Sequence, residues 1–300
     1  MPYIITHHDA DGILSAATLI KAMQIRFWVY FSSPNKLLTT ICTTLLNSGG
    51  NDSLYICDIS GNRKSICCAA AYNEVVWLDH HVWENLSIPE NIKLVVDKDS
   101  KSATRVVGNY TGVMDFVEIA DEIDTNNLET ETAERLRSLT FAIKMLSPKE
   151  EIYRALYEFT MALVTKGIGV VYSPGFDELL HKYNLILEAG VKNAILTKKD
   201  FMFGDRKVAV IFLGNELPVA PVFNKLKDEG IDIVIFIGER ADEISGYVTK
   251  LEFRTQTGFD VLKIAEEFGG GGHIQASGAT VRNKLKIEDV LAKIKSVYGW

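Results

Sequence analysis

The feature that most limits the fold is a rhythm in the first half of the chain, where short apolar runs stop abruptly at acidic or histidine side chains. YIIT (3–6) runs into His7-His8-Asp9, LYIC (54–57) into Asp58, VVWL (75–78) into Asp79-His80-His81, LVV (94–96) into Asp97, and FVEIA (116–120) into Asp121. A further run, FWVYF (27–31), has the same β-rich character. Between most of them lie helix-like stretches such as GILSAATLIKAM (12–23) and KSICCAAAY (64–72). Continuous apolar strands alternating with helices predict a parallel sheet covered on both faces, that is, an α/β domain. Ligands of open α/β sheets bind at the carboxyl ends of the strands, so the polar residues at the run ends are expected to converge in one crevice.

The rest of the chain reads differently. From about Thr130 to Leu196 charged residues interleave with Leu, Ala, Ile and Tyr at helical spacing, with a break at Tyr172-Ser173-Pro174-Gly175. Strand-like runs then return as VAVIFL (208–213), DIVIFIG (232–238) and GYVTKLEFRT (246–255), followed by a predicted helix over 259–268 and a glycine run. A length of 300 residues is more than one core usually serves. The expected organisation is therefore a parallel-sheet domain over 1–130, a helical closing segment and linker over 131–198, and a smaller α/β domain over 199–300. The cleft between the two domains is the expected substrate site.

The net charge of −7 argues against a broad basic groove for long nucleic acid, though not against a local phosphate site. The four cysteines, Cys42, Cys57, Cys67 and Cys68, lack paired zinc-ligand spacing and read as reduced core residues. No apolar run is long enough to span a membrane, and no basic segment precedes a hydrophobic one near the start. A cytoplasmic protein is expected.

In His7-His8-Asp9-Ala10-Asp11-Gly12, either carboxylate alone is the kind of residue that caps a helix. Two of them beside two histidines exceed what a cap needs. Asp58 poses the same choice, because DISGNRK offers Asp58, Ser60 or Asn62 as a cap. Asp79-His80-His81 is harder to explain structurally, since burying such groups without partners costs several kcal/mol. Carboxylates mixed with imidazoles suit Mn²⁺ or a similar borderline cation, and more than four candidate ligands suggest two ions, a common arrangement for cutting phosphate esters.

The set His7-x-Asp9-x-Asp11-Gly12, Asp58, Asp79-His80-His81 and Asp121 resembles the four ordered motifs of the DHH phosphoesterase superfamily. Gly270-Gly271-Gly272-His273-Ile274-Gln275-Ala276-Ser277-Gly278 resembles the glycine-rich signature of the second domain that accompanies RecJ-type exonucleases and the nanoRNase branch. The resemblance implies two Mn²⁺ ions, with Mg²⁺ or Co²⁺ as substitutes. One would be held by His7, Asp9 and Asp58, the other by Asp11, Asp58, His80 and Asp121, with Asp58 as the bridge. His8 rivals His7, and Asp124 rivals Asp121. Asp79 would orient an imidazole or the local structure, and His81 would face the phosphate. Arg254, Gly270, Gly271, Gly272 and His273 would hold the substrate's phosphate, and Ser102 and Thr104 either line the site or cap a helix. Trp77 and Trp83 read as core aromatics more readily than as base-stacking platforms, and His181 as a surface residue.

The implied activity is metal-dependent hydrolysis of phosphoester bonds in short oligonucleotides or nucleotide bisphosphates by a hydroxide held between the ions. A RecJ-like exonuclease acting on single-stranded nucleic acid is the nearest alternative. A scaffold that binds nucleic acid without catalysis is the alternative of another class.

Overall fold

The structure, a computed structural model, describes residues 1–83, 85–214, 217–242 and 246–300. It divides into two compact units, Met1–Tyr183 and Asn184–Trp300.

The first unit begins with β1 (Tyr3–His7), α1 (Ala10–Met23), β2 (Trp28–Ser32), α2 (Leu37–Ser48), β3 (Ser53–Cys57), α3 (Arg63–Ala69), β4 (Glu74–Asp79) and β5 (Ile92–Val96). The five strands form one sheet in the order β2-β1-β3-β4-β5, and every pair is parallel. Alternation along each strand builds two cores. Ile5, Leu54, Ile56, Val75 and Trp77 face Leu37, Ile41 and Ile66 on one side. Ile4, Tyr55, Val76 and Leu78 meet Ala16, Leu19, Val106 and Val107 on the other. Each such aliphatic side chain contributes roughly 1.5–3 kcal/mol when fully buried. Covering both faces is what makes the strands read as unbroken apolar runs.

The chain continues through α4 (Ala103–Thr111), α5 (Val117–Asp124), α6 (Glu131–Leu146), α7 (Ile152–Lys166), a short 3₁₀ turn (Ile168–Tyr172) and α8 (Pro174–Leu196), which runs on into the second unit. One expectation fails here: FVEIA is the start of a helix, not a strand. Phe116, Val117 and Ala120 are fully buried at helical spacing, and a five-residue apolar run does not by itself separate strand from helix. Asp121 and Asp124 therefore project from α5, one turn apart.

The second unit holds β6 (Lys199–Phe203), β7 (Arg206–Leu213), α9 (Val219–Asn224), β8 (Ile233–Asp242), β9 (Gly246–Arg254), α10 (Val261–Glu266), β10 (Gly271–His273), β11 (Ala276–Val281) and α11 (Ile287–Tyr298). Its six strands are ordered β10-β11-β9-β8-β7-β6, with β7 and β8 parallel and the other pairs antiparallel. The glycine run enters a hairpin. Gly271 pairs with Gly278 and His273 with Ala276. Gly272 has φ 135°, which disfavours any side chain, and a Cβ at Gly270 would fall on the carbonyl oxygen of Gly278.

All four cysteines are free thiols, but only Cys57 is buried in the core, and Cys67 is exposed. Among the described residues no helix is long and apolar enough to cross a membrane.

Candidate metal centre

The strand order reverses at β1, which lies between β2 and β3. In such sheets a crevice opens at the carboxyl ends beside the reversal. Asp9 sits there as the N-cap of α1, its Oδ1 accepting from the Gly12 amide at 3.0 Å. Gly12 is a packing necessity, because a Cβ would collide with the His7 carbonyl where the helix leaves the strand. The other Asp9 oxygen lies 2.6 Å from His7 Nδ1, and Asp58 Oδ2 lies 3.7 Å from the same nitrogen. Asp9 thus caps the helix and faces the crevice at once.

Asp58 follows β3 in a left-handed backbone conformation, φ 58°. It does not cap α3; Asn62 does, accepting from the amides of Lys64 and Ser65. Asp58 is buried, and its Oδ2 has no hydrogen-bond partner among the described residues. Asp11 is also buried, held at the N-terminus of α4 by the amides of Ala103 at 2.6 Å and Thr104 at 2.9 Å and by the Thr104 hydroxyl at 2.6 Å. A helix N-terminus favours a carboxylate there.

His80 completes the floor. Its Nδ1 is 3.3 Å from the Ser100 carbonyl, which can only accept, so Nδ1 carries the proton and Nε2 is the free lone pair. Nε2 lies 3.5 Å from Asp124, 3.7 Å from Asp58 and 3.9 Å from Asp11. Two atoms that each lie about 2.1 Å from one ion are separated by roughly 3 to 4 Å, so these spacings suit a shared cation better than direct hydrogen bonds. Among the described residues three overlapping groups have ligand atoms within 4.8 Å of one another: His7, Asp9 and Asp58; Asp11, His80 and Asp124; and Asp58, His80 and His81.

Asp79 is fully buried and acts on its neighbours. Its oxygens accept from the His81 Nδ1–H at 2.7 Å, the His80 amide at 2.9 Å and the Trp83 indole at 2.7 Å. That hydrogen bond raises the His81 pKa against the opposing effect of burial, and leaves Nε2 as the outward nitrogen.

Unbalanced negative charge is the electrostatic signature of the crevice. Burial, the nearby Asp124 and Asp9 push Asp11 up to about 7 despite its hydrogen bonds from Thr104. Burial and the charges of Asp9 and Asp11 push Asp58 well above the ordinary carboxylate range. At Asp9 desolvation is outweighed by the charge and hydrogen bond of His7, which hold the carboxyl low. A divalent cation relieves this repulsion and supplies the partner Asp58 lacks, so the donor set fits a metal.

In the second unit Arg254 ends β9, pairing with Glu252 at 2.8 Å and donating to the Phe253 carbonyl at 3.0 Å. Register places Arg254 opposite Ala276, and Ala276 opposite His273. Cross-strand partners share a face, so Arg254 and His273 stand on the same side of the sheet.

A family model described as the DHHA1 domain matches residues 205–299. The second unit is thus similar to a DHHA1 domain over those residues. No curated protein matches the chain in sequence. Solved structures are similar over its whole length. The pGpG-specific phosphodiesterase PggH from Vibrio cholerae aligns at 16% identity and TM-score 0.63, covering 100% of this chain and 99% of its own. An exopolyphosphatase-related protein from Bacteroides fragilis aligns at 16% identity and TM-score 0.53, with coverages of 99% and 91%. RecJ in complex with Mn²⁺ from Thermus thermophilus aligns at 13% identity and TM-score 0.56, covering 100% of this chain and 52% of that one. These likenesses show a shared two-unit fold, and the family match falls within the second unit.

Of the residues singled out in the sequence, His7, Asp9, Asp11, Asp58, His80 and His81 come together, with Asp79 supporting from beneath. Asp121 does not join them. Both of its oxygens are engaged, one by the Ser102 hydroxyl at 2.6 Å and the other by Arg105 Nε at 2.7 Å, and Asp124 faces His80 instead. Ser102 caps α4, and Thr104 holds Asp11. Asp121 thereby steadies the helix start that carries Asp11. Asp97 also stays apart, exposed and closing a turn onto Ser100. His8, the rival of His7, is held down to about 4 by burial, His7 and Lys144, and belongs to none of the three groups. Trp77 is core and donates to the Ile59 carbonyl. Lys144, Ser100 and Arg105 escaped the sequence reading. Lys144 is a desolvated cation that senses Asp9, and no strand-end motif marks it.

Proposed function

We propose that this chain is a divalent-metal-dependent phosphoesterase that hydrolyses phosphoester bonds of short oligonucleotides or nucleotide bisphosphates. The observation that carries the reading is Asp58: a buried carboxylate with an unpartnered oxygen, shared between two groups of carboxylates and imidazoles. His7, Asp9 and Asp58 would hold one Mn²⁺, and Asp11, Asp58, His80 and Asp124 a second, with Mg²⁺ or Co²⁺ as substitutes. When bound, such a pair supplies an activated water and neutralises charge developing on phosphorus.

The chain's own residues do the rest. Asp79 fixes the ring of His81 through Nδ1–H and favours its doubly protonated form, and that imidazolium would present Nε2–H toward a phosphate or leaving oxygen. The Ser100 carbonyl fixes His80 with its Nε2 lone pair toward the carboxylates. Asp11 stays in place because α4 grips it with three hydrogen bonds. In the DHHA1 domain, Arg254, His273 and the backbone of Gly270, Gly271 and Gly272 would hold phosphate, the guanidinium by matching two oxygens at once. The first unit is thus assigned the metal chemistry and the DHHA1 domain substrate recognition. The likeness to PggH, whose name describes action on a dinucleotide, supports a small substrate.

The test is hydrolysis of end-labelled RNA and DNA strands from two to thirty nucleotides and of a nucleotide 3′,5′-bisphosphate, with Mn²⁺ or chelator, for wild type and Asp58→Asn. Metal-dependent cleavage of the shortest strands or the bisphosphate, lost in Asp58→Asn, is expected. Efficient end-directed shortening of long strands would favour the RecJ-like alternative, and binding without any turnover would favour the scaffold.

A further inference from the structure

A groove of about 1080 Å³ runs along the free edge of β2, within the first unit and outside the residues of the metal centre. Among the described residues β2 pairs only with β1, so its outer edge is open. The groove is unusually aromatic for a solvent-facing surface: Trp28 is 53% exposed, and Tyr153 and Tyr157 from α7 are 45% and 38% exposed. Its lining residues include Arg26, Lys36 and Arg154 and no acid, in a chain whose formal charge is −7. Arg154 is already paired with Glu158 at 3.0 Å, whereas among the described residues neither Arg26 nor Lys36 has a carboxylate partner.

Flat aromatic faces flanked by unpaired cations are the combination that takes a single nucleic-acid strand, with bases on the rings and phosphates on the charges. A purely apolar partner has no use for the cations, and a lipid headgroup none for a row of flat rings. Register places Ser32, the last residue of β2, beside His7, so one end of the strand edge lies next to the metal centre. Lys36 lies just past that end and Arg26 just before the other. The five residues of β2 span about 16 Å, room for on the order of three to five nucleotides.

We infer that the β2 edge groove holds the part of a single-stranded oligonucleotide that extends beyond the bond at the metal centre. The inference rests on the reading of that centre as one that acts on nucleotides. Bases stack on Trp28, Tyr153 and Tyr157, and Arg26 and Lys36 carry phosphates. The groove therefore sets how much better the protein engages a longer strand than a dinucleotide.

The test uses the full chain in chelator, which stops hydrolysis, with a fluorescein-labelled RNA decamer and dinucleotide followed by anisotropy. The variants are Trp28→Ala, Tyr157→Ala and the double variant Arg26→Ala with Lys36→Ala. All four side chains are solvent-exposed, and a retained thermal melt verifies folding. Loss of one aromatic is expected to weaken decamer binding about tenfold. Loss of both cations is expected to lower the slope of log affinity against log salt by about 1.4, or about 0.7 for each. Decamer affinities within twofold of wild type in all variants would overturn the inference. So would a wild-type dimer that Trp28→Ala dissociates and that the decamer does not disturb, because the groove would then seat a second copy. The two readings fail separately. Dinucleotide hydrolysis with Mn²⁺ but no variant-sensitive decamer binding removes the groove and leaves the enzyme. Variant-sensitive binding with no hydrolysis of any strand supports the groove and removes the enzyme.

Discussion

Asp121 and Asp124 lie one turn apart on α5, and replacing each with asparagine is expected to have opposite effects on the metal-free protein. Asp121 is 4% exposed and accepts from Ser102 and Arg105. Its replacement keeps the shape but removes the charge that Arg105 faces. Breaking a fully buried ion pair costs about 3–5 kcal/mol. Arg105 is partly exposed and also pairs with Glu118, so about 2 kcal/mol is the better figure here. For a unit of this size that lowers Tm by roughly 4–8 °C. Asp124 instead adds to the repulsion acting on Asp11. Asparagine there removes one like charge and is expected to raise the metal-free Tm slightly, by about 0.5 kcal/mol for a partly exposed group. Manganese reverses the ranking. Asp124→Asn takes away a ligand and should weaken Mn²⁺ binding at least 10- to 100-fold, whereas Asp121→Asn should weaken it less, through the looser start of α4. Thermal melts in chelator and in a Mn²⁺ titration, with calorimetric binding, read all four quantities. Should Asp121→Asn abolish the Mn²⁺-induced rise while Asp124→Asn leaves it intact, the assignment of Asp124 to the crevice is wrong.

Other perturbations follow from the same geometry. Asp79→Asn leaves one acceptor oxygen for three donors and removes the charge that holds His81, and His81→Gln replaces the titratable ring with an amide that cannot transfer a proton; each should cost roughly 10²-fold or more in kcat while Mn²⁺ affinity by calorimetry changes little. Gly12→Ala forces a methyl group onto the His7 carbonyl and should destabilise the first unit by about 1–3 kcal/mol and displace His7, seen as a lower Tm together with weaker Mn²⁺ binding. Adding Mn²⁺ to chelated protein at about 100 times its Kd should stabilise the first unit by about 2.7 kcal/mol, and a melt insensitive to Mn²⁺, Mg²⁺ and Co²⁺ would refute the metal centre.

The parallel sheet and its polar strand ends were legible because burial on both faces leaves unbroken apolar runs, and the point where each run stops marks a strand's carboxyl end. The same logic misplaced FVEIA, where burial of Phe116, Val117 and Ala120 on one helix face imitates a strand in so short a window. It also could not separate Asp121 from Asp124. That choice depends on Arg105 and Ser102, which come from a different helix start, and only the fold reveals that they occupy Asp121. The glycine signature of the second unit was visible as a run, but its hairpin geometry depends on pairing with Gly278 and Ser277, six and five residues away from Gly272. Supporting groups such as the Ser100 carbonyl are backbone atoms and leave no mark in residue identity.

The left-handed backbone at Asp58 narrows what can stand there. Asparagine, aspartate and glycine tolerate that conformation far better than other residues, and only aspartate adds a carboxylate. Asp58→Asn therefore changes the chemistry of the position while leaving its chain path intact, which makes it the natural bait: a folded protein able to clasp its true ligand without consuming it, from which that ligand can be eluted and weighed by mass spectrometry.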